Sequence, residues 1–352
     1  MKNITLISVL LLFLFHIVSA QDINTDDETA KRKKLKEAQK AYNNGILKIN
    51  AGDMQSAIYD FTKAIDNKPD FDLAFLQRGK VNFDLGNIET SLEDINKALS
   101  LNANLGEAYF CQGFVQFSKD TAFDPLPDFN KAIEKGYQKS FVYYYLGLVK
   151  ALNGEYNNAI QDFTKAIDMQ SNYDYAYHDR ASTKRQLGDY QGANYDYKQS
   201  INYNPSFILA YNNLGQIKKI TGDFQGSIGD YTSSVNLDKN YYLAINNRGA
   251  SHYQLGDYEG AMEDFNTVIF IKEDFQYAHN NLGIVLVKME KLEDAIKSFD
   301  KAIELDNNFG LAYMNRGFAK ELTGDLEGAC EDWKMAESLG VEEIVKYLKE
   351  CK

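Results

Sequence analysis

One word returns along this chain at a fixed interval. AYNNLGQIKKITGDF starts at Ala210, AINNRGASHYQLGDY at Ala244, AHNNLG at Ala278 and AYMNRG at Ala312, each 34 residues after the last. A small residue keeps the same step at Gly45, Gly79, Gly113, Gly147, Ala181, Gly215, Gly249, Gly283 and Gly317. Nine units of 34 therefore tile residues 38–343 without insertion, as 38–71, 72–105, 106–139, 140–173, 174–207, 208–241, 242–275, 276–309 and 310–343. A catalytic centre is needed once, so a period of this length points to architecture first.

Two more columns share the phase. Twelve residues past the glycine comes another small residue, as at Ala57, Ala193, Ala261 and Ala329. Four further on is a ring: Phe61, Phe129, Phe163, Tyr197, Tyr231, Phe265, Phe299 and Trp333, with Ile95 the exception. Spacings of four and three place each set on one helical stripe, so the unit reads as a helix hairpin. Glycine on one helix and alanine on its partner permit close approach, and the ring fills the space beside them. Between the stripes lie Gly52-Asp53, Gly86-Asn87, Gly188-Asp189, Gly222-Asp223, Gly256-Asp257 and Gly324-Asp325. Glycine can end the first helix in a left-handed conformation, and the following Asp or Asn can cap the second.

On these landmarks the sequence resembles tetratricopeptide (TPR) repeats, whose unit carries the same Gly, Tyr, Ala, Phe, Ala and Pro positions. The final proline survives only at Pro69 and Pro205. The resemblance implies an all-α fold, a superhelical solenoid of hairpins closed by a C-terminal solvating helix at 344–352. The third unit departs furthest: SKDTAFDPLPDF lacks the turn glycine and has Pro125 in the small column. Proline inside a helix costs about 3 kcal/mol, so its second helix should start late, near Asp124-Pro125. A shorter helix and a hinge are both open.

The N-terminus MKNITLISVLLLFLFHIVSAQ joins a basic start, a short apolar run and small residues at Val18–Ala20. That is the pattern of a secretory signal peptide over 1–20, followed by a charged lead-in over 21–37. The chain is then exported to the periplasm or envelope. The alternative keeps residues 4–20 as an inner-membrane anchor. A net charge of −12 argues against nucleic acid. The run KRKKLK at Lys31–Lys36 supplies too few phosphate contacts to change that. Cys111, Cys330 and Cys351 are an odd, scattered set rather than a disulfide framework. Cys111 and Cys330 are expected to act as small core or groove residues.

No phosphate loop, CxxC pair or HExxH word is present, and no cofactor is expected. His178, His252 and His279 share no metal-ligand spacing. Ser298-Phe-Asp-Lys301 matches an acylating-serine pattern by coincidence, without companion motifs. The segments outside the repeats are too short for a catalytic domain, so an enzyme is not expected. Asp60, Asp94, Asp128, Asp162, Asp196, Asp230, Asp264 and Asp332 precede the ring column, while Arg78, Arg180, Arg248 and Arg316 precede the glycine column. These carboxylates are expected to accept hydrogen bonds from arginine or backbone rather than to hold metal.

What remains is a stripe on each first helix that avoids the core, at six and three before and one and four after the glycine column. In TPR proteins this face lines the concave groove, where extended peptides or partner helices bind. Repeats three and four carry Phe110, Phe114, Phe117, Phe141, Tyr144 and Tyr145 there, and clustered exposed rings mark binding surfaces. Repeats six to nine carry Asn213, Asn247, Asn281 and Asn315, with Asn212, Asn246 and Asn280 beside them. An Asn amide donates and accepts at once, so this ladder resembles those of some peptide-binding TPR superhelices. It would hold an extended backbone, unless the same residues serve contacts between repeats. The positions matching the clamp for chaperone tails carry Tyr42, Ile46, Gln77, Glu107 and Cys111, which argues against that partner. The expected function is a non-enzymatic scaffold for a protein or peptide ligand.

Overall fold

The structure, a computed structural model, describes residues 4–349 and 351, with side chains from residue 27 onward. The leader expected at 1–20 lies outside the residues with described side chains. No helix among the described residues is long and apolar enough to cross a membrane. The chain divides into two compact units, one ending at Val149 and one beginning at Lys150.

The first unit contains α1 (Ile4–Asn50), α2 (Met54–Asn67), α3 (Asp72–Asp84), α4 (Ile88–Leu101), α5 (Gly106–Lys119), α6 (Leu126–Glu134) and most of α7 (Ser140–Leu152). The second contains α8 (Tyr156–Met169), α9 (Asp174–Gln186), α10 (Tyr190–Tyr203), α11 (Ile208–Ile220), α12 (Phe224–Leu237), α13 (Tyr242–Gln254) and α14 (Tyr258–Ile271). It continues through α15 (Gln276–Lys288), α16 (Leu292–Leu305), α17 (Gly310–Thr323), α18 (Leu326–Ser338) and α19 (Val345–Leu348). Within each unit, the two helices of a hairpin pack together and the second helix packs on the first helix of the next hairpin. Successive first helices also touch, α3 with α5 and α9 through α17 in order. Second helices make no comparable approach among the described residues. Each stack therefore bends toward its first-helix side, which becomes the inner wall.

The hairpin contact is as tight as the small columns suggest. A Cβ added at Gly283 would lie 2.5 Å from Phe299 Cε1, one at Gly45 2.6 Å from Phe61 Cε1, and one at Gly215 2.7 Å from Tyr231 Cε1. Six rings of this column, Phe61, Phe129, Phe163, Tyr197, Tyr231 and Phe299, are fully buried. Each contributes roughly 1.5–3 kcal/mol of burial.

Second helices start on an aspartate in five hairpins. Asp53 accepts from Ser56 N, Asp189 from Gly192 N, Asp223 from Gly226 N, Asp257 from Gly260 N and Asp325 from Gly328 N, each cap worth about 1 kcal/mol. The preceding glycines have positive φ, as at Gly222 (85°). In the eighth repeat the chain has Glu290 there instead, forced to φ 58°. In the third, α6 has 9 residues and starts after Pro125, whose neighbour Asp124 accepts from Leu126 N. Its late start follows the expected reading of the proline.

Two expectations fail at the C-terminus. Cys330 and Cys351 form a disulfide with 5.5 Å between Cα atoms, although the cysteine count argued against one. The reason is a foldback: the tail turns over α18, where Val341 and Ile344 are buried and Tyr347 packs edge-on against Phe318 at 4.8 Å. The tail is accordingly not a solvating helix over 344–352. It is a 3-10 turn at Glu342–Ile344 and one turn of α-helix, α19, pinned to the last hairpin. Cys111 is the free cysteine, and burial pushes its thiol up to about 12.

Two substitutions test this packing. Gly283→Ala drives a methyl into Phe299 and should destabilise by about 1–3 kcal/mol in chemical denaturation. Glu290→Gly relieves the left-handed strain and should stabilise by about 1 kcal/mol. An unchanged denaturation midpoint for Gly283→Ala would remove the close approach from the account.

Candidate functional site: the first-helix wall

The aspartate and arginine columns meet on the side of the first helices. Arg78 Nε and Nη2 donate to Asp94 at 2.8 Å each, and its Nη1 donates to Thr62 on the preceding second helix at 2.9 Å. Arg180 repeats the fork on Asp196 and Thr164, and Arg248 on Asp264 and Thr232. Arg316 forks onto Asp332 and reaches Asp300. Each guanidinium thus ties three helices, as planar bidentate geometry allows. Asp162 and Asp230 pair with lysine instead, at 2.6 Å to Lys150 and 2.7 Å to Lys218, and burial still raises both carboxyls. Asp128 is raised by burial and then by Asp124. Among the described residues no group of three or more His, Cys, Asp or Glu is placed to hold a metal. His252 faces Asp257, and His279 Nε2 meets the Glu273 carbonyl.

The aromatic zone lies in the first unit and is largely self-packed. Phe110 stacks on Phe114 and Phe129 and meets Phe141 and Tyr145 edge-on or tilted, at centroid distances of 5.1–5.8 Å. It is only 8% exposed, so the expectation that Phe110 faces the groove is corrected: neighbouring rings cover it from both sides. Phe114, Phe117, Phe141, Tyr144 and Tyr145 are half-buried.

The asparagines of the second unit do pair between repeats. Asn247 Nδ2 donates to Asn212 Oδ1 at 3.2 Å, Asn281 to Asn246 at 3.2 Å and Asn315 to Asn280 at 2.9 Å. Asn212 and Asn280 are buried by this pairing, so the expectation that they line the wall is corrected. Asn246 and the column Asn213, Asn247, Asn281 and Asn315 stay half-buried. Asn213 differs from its column: it accepts from Asn212 Nδ2 and donates to His178 Nε2 at 3.0 Å. His178 in turn meets Asp179 through Nδ1 at 2.8 Å. A carboxylate only accepts, so His178 carries its proton on Nδ1. Asn247, Asn281 and Asn315 each spend one amide N–H on the wall, and among the described residues their carbonyl oxygens have no hydrogen-bond partner.

Four residues earlier on each helix runs a second column: Tyr175, Leu209, Leu243, Tyr277 and Leu311, between 39% and 51% exposed. Sequence reasoning included these positions in the stripe without singling them out; their 34-residue spacing was the available signal. A depression of about 190 Å³ opens between α13 and α15, lined by Ala250, Tyr253, Gln254, Phe265, Asn281 and Ile284. It exists because Ala250 stands where the neighbouring repeats have Gln216, Ile284 and Phe318. The wall so built can receive an extended chain: an apolar column, an amide column and one side-chain-sized hole. Asp196 anchors its edge, fully buried and held by Arg180 and Lys184. Asp196→Ala leaves two half-buried cations unpaired, and stability should fall by about 3–5 kcal/mol, read from the shift in denaturation midpoint.

Tetratricopeptide repeat models match residues 277–309, 74–105 and 142–173, and a TPR repeat model matches 249–290. Comparison with curated proteins finds no match. Among solved structures, the chain resembles the APC/C hetero-tetramer Cut9-Hcn1 at 14% identity, covering 89% of this chain and 76% of that one, with a TM-score of 0.54. It also resembles pilF of Pseudomonas aeruginosa at 14% identity, covering 60% and 97%, with a TM-score of 0.53. A tetratricopeptide repeat protein from Parabacteroides merdae covers 79% and 97% at 19% identity, with a TM-score of 0.48. At these identities the likeness is one of fold. Tandem hairpins in 34-residue register, with a glycine packed on a ring in hairpin after hairpin, make this chain a tetratricopeptide repeat protein.

Proposed function

We propose that this chain is a non-enzymatic scaffold of the cell envelope that holds an extended peptide along the first-helix wall of its second unit. The observation that carries the reading is the row of unpartnered carbonyl oxygens on Asn247, Asn281 and Asn315, set beside the exposed apolar column. Backbone N–H groups of an extended ligand would donate to those oxygens, while its apolar side chains lie on Leu209, Leu243, Tyr277 and Leu311. The depression beside Ala250 would take one such side chain. Because the contacts are made to backbone, the wall would select conformation more than sequence. Phe114, Phe141 and Tyr144 offer the first unit an apolar patch of its own.

Export is supported by the leader pattern over residues 1–20 and by the Cys330–Cys351 disulfide, since such bonds persist in oxidising compartments. Mass measurement of the mature N-terminus separates a released scaffold, starting at Gln21, from one tethered by residues 4–20.

For binding, a peptide selected on the wild-type protein from a random display library serves as the probe. Neutral hydrogen bonds contribute about 0.5–1.5 kcal/mol each. Replacing Asn247, Asn281 and Asn315 together by alanine should weaken its affinity at least tenfold while helicity is kept. Ala250→Leu, which fills the depression, should weaken it as well. Affinities within twofold of wild type for both variants would rule this wall out.

A further inference from the structure

Where one hairpin meets the next, an apolar side chain of the second helix joins an apolar residue of the following first helix. Ile58 shares a cluster with Val81, Leu92 with Val115 and Met262 with Val285. A further apolar residue stands at the end of that first helix, as Leu85, Leu187, Leu255 and Met289. Between α10 and α11 both are lost. Asn194 stands in register with Ile58, Leu92, Ile160, Ile228, Met262 and Ile296, and Thr221 in register with Leu85, Leu187, Leu255 and Met289. No other interface between successive hairpins gives up both positions. An open cleft of about 360 Å³ lies at this one, lined by Tyr190, Gln191, Asn194, Ile217 and Thr221. Its volume falls at the lower end of small-ligand sites, and it shares no lining residue with the depression beside Ala250.

Two apolar contacts given up together forgo burial that the other interfaces keep. Such departures from a chain's own local rule concentrate at functional sites. None of the lining side chains is charged, so an ionic ligand would find no counter-charge there. We propose that the α10–α11 cleft binds an uncharged saccharide ring. Among the described residues the side-chain amides of Gln191 and Asn194 have no hydrogen-bond partner. Each amide donates and accepts at once, as does each sugar hydroxyl, so one amide can hold two adjacent hydroxyls. Thr221 spends its proton on the carbonyl oxygens of Ile217 and Lys218, which leaves its own oxygen to accept. Tyr190 packs against the cluster that holds Ala193, Leu214 and Ile217, and its fixed ring supplies an apolar surface for the C–H face of a sugar.

Glucose, N-acetylglucosamine and the N-acetylglucosamine trimer serve as probes of the full chain, with sorbitol as the open-chain polyol that lacks a ring face. At least one sugar should bind saturably, by titration and saturation-transfer NMR, and at least tenfold more tightly than sorbitol. A trimer that binds better than its monomer identifies the end of a glycan as the source, and equal binding identifies the free sugar. Gln191→Ala changes an exposed residue, so it should weaken binding about fivefold with the melting transition unmoved. Asn194→Ile with Thr221→Leu restores the period; this double variant should melt no lower than wild type and lose the sugar. Absence of saturable binding, sorbitol binding as well as the sugars, or sugar binding that survives both the single and the double variant would overturn the site. A peptide or nucleoside that binds in the cleft where the sugars do not would overturn the saccharide assignment.

Discussion

The contact on which everything else rests is a glycine backbone pressed against the edge of an aromatic ring. At Gly45, Gly215 and Gly283 there is no room for a methyl group. That approach fixes the spacing inside each hairpin, and the hairpin fixes where the next first helix can sit. A larger residue would push the two helices apart and, through the second-to-first contacts, displace every later repeat in the unit. Where the ring is absent, as at Ile95, the small neighbour Ser91 keeps the helices close: an added Cβ at Gly79 still meets Ile95 and the Ser91 carbonyl at 3.0 Å.

Because the core is satisfied by so few columns, the remaining first-helix positions are free to differ between units. The arginine forks show how the stack is held without using the wall. Arg78, Arg180, Arg248 and Arg316 each reach back to the preceding second helix from the side of their own helix. The first unit fills its wall with rings that bury one another. The second fills it with amides that bond along the stack and keep a second hydrogen-bonding atom. The same scaffold thus lines one stretch of wall with rings and the other with amides.

Much of this was legible in the sequence. The glycine, alanine and ring columns, the Gly-Asp turns and the late start of α6 at Pro125 follow from local rules that need only spacing. What was not legible depends on how one repeat is offset from the next. Whether Asn247 meets Asn212 or a ligand turns on that offset, and so does the burial of Asn212, Asn280 and Phe110. The Cys330–Cys351 bond lay further out of reach, because it needs a tail that abandons the period. Gly340 and Val341 begin the departure, and Ile344 anchors it in the core. Counting cysteines could not reveal a foldback.

The direction of the first amides in the row, Asn213, Asn212 and Asn247, follows from one anion. Asp179 can only accept, so it takes the His178 Nδ1 proton and leaves Nε2 as an acceptor. Asn213 must then point its NH₂ at His178 and its carbonyl oxygen at Asn212, whose own oxygen faces Asn247. Asn281 and Asn315 bond in the same sense. Asn213 thus turns its oxygen into the wall, whereas among the described residues the oxygens of Asn247, Asn281 and Asn315 receive no hydrogen bond. Those three oxygens are acceptors, and the second N–H of each amide is a donor beside them. An extended backbone, which carries N–H and C=O groups along its whole length, matches that pairing of acceptor and donor without side-chain help.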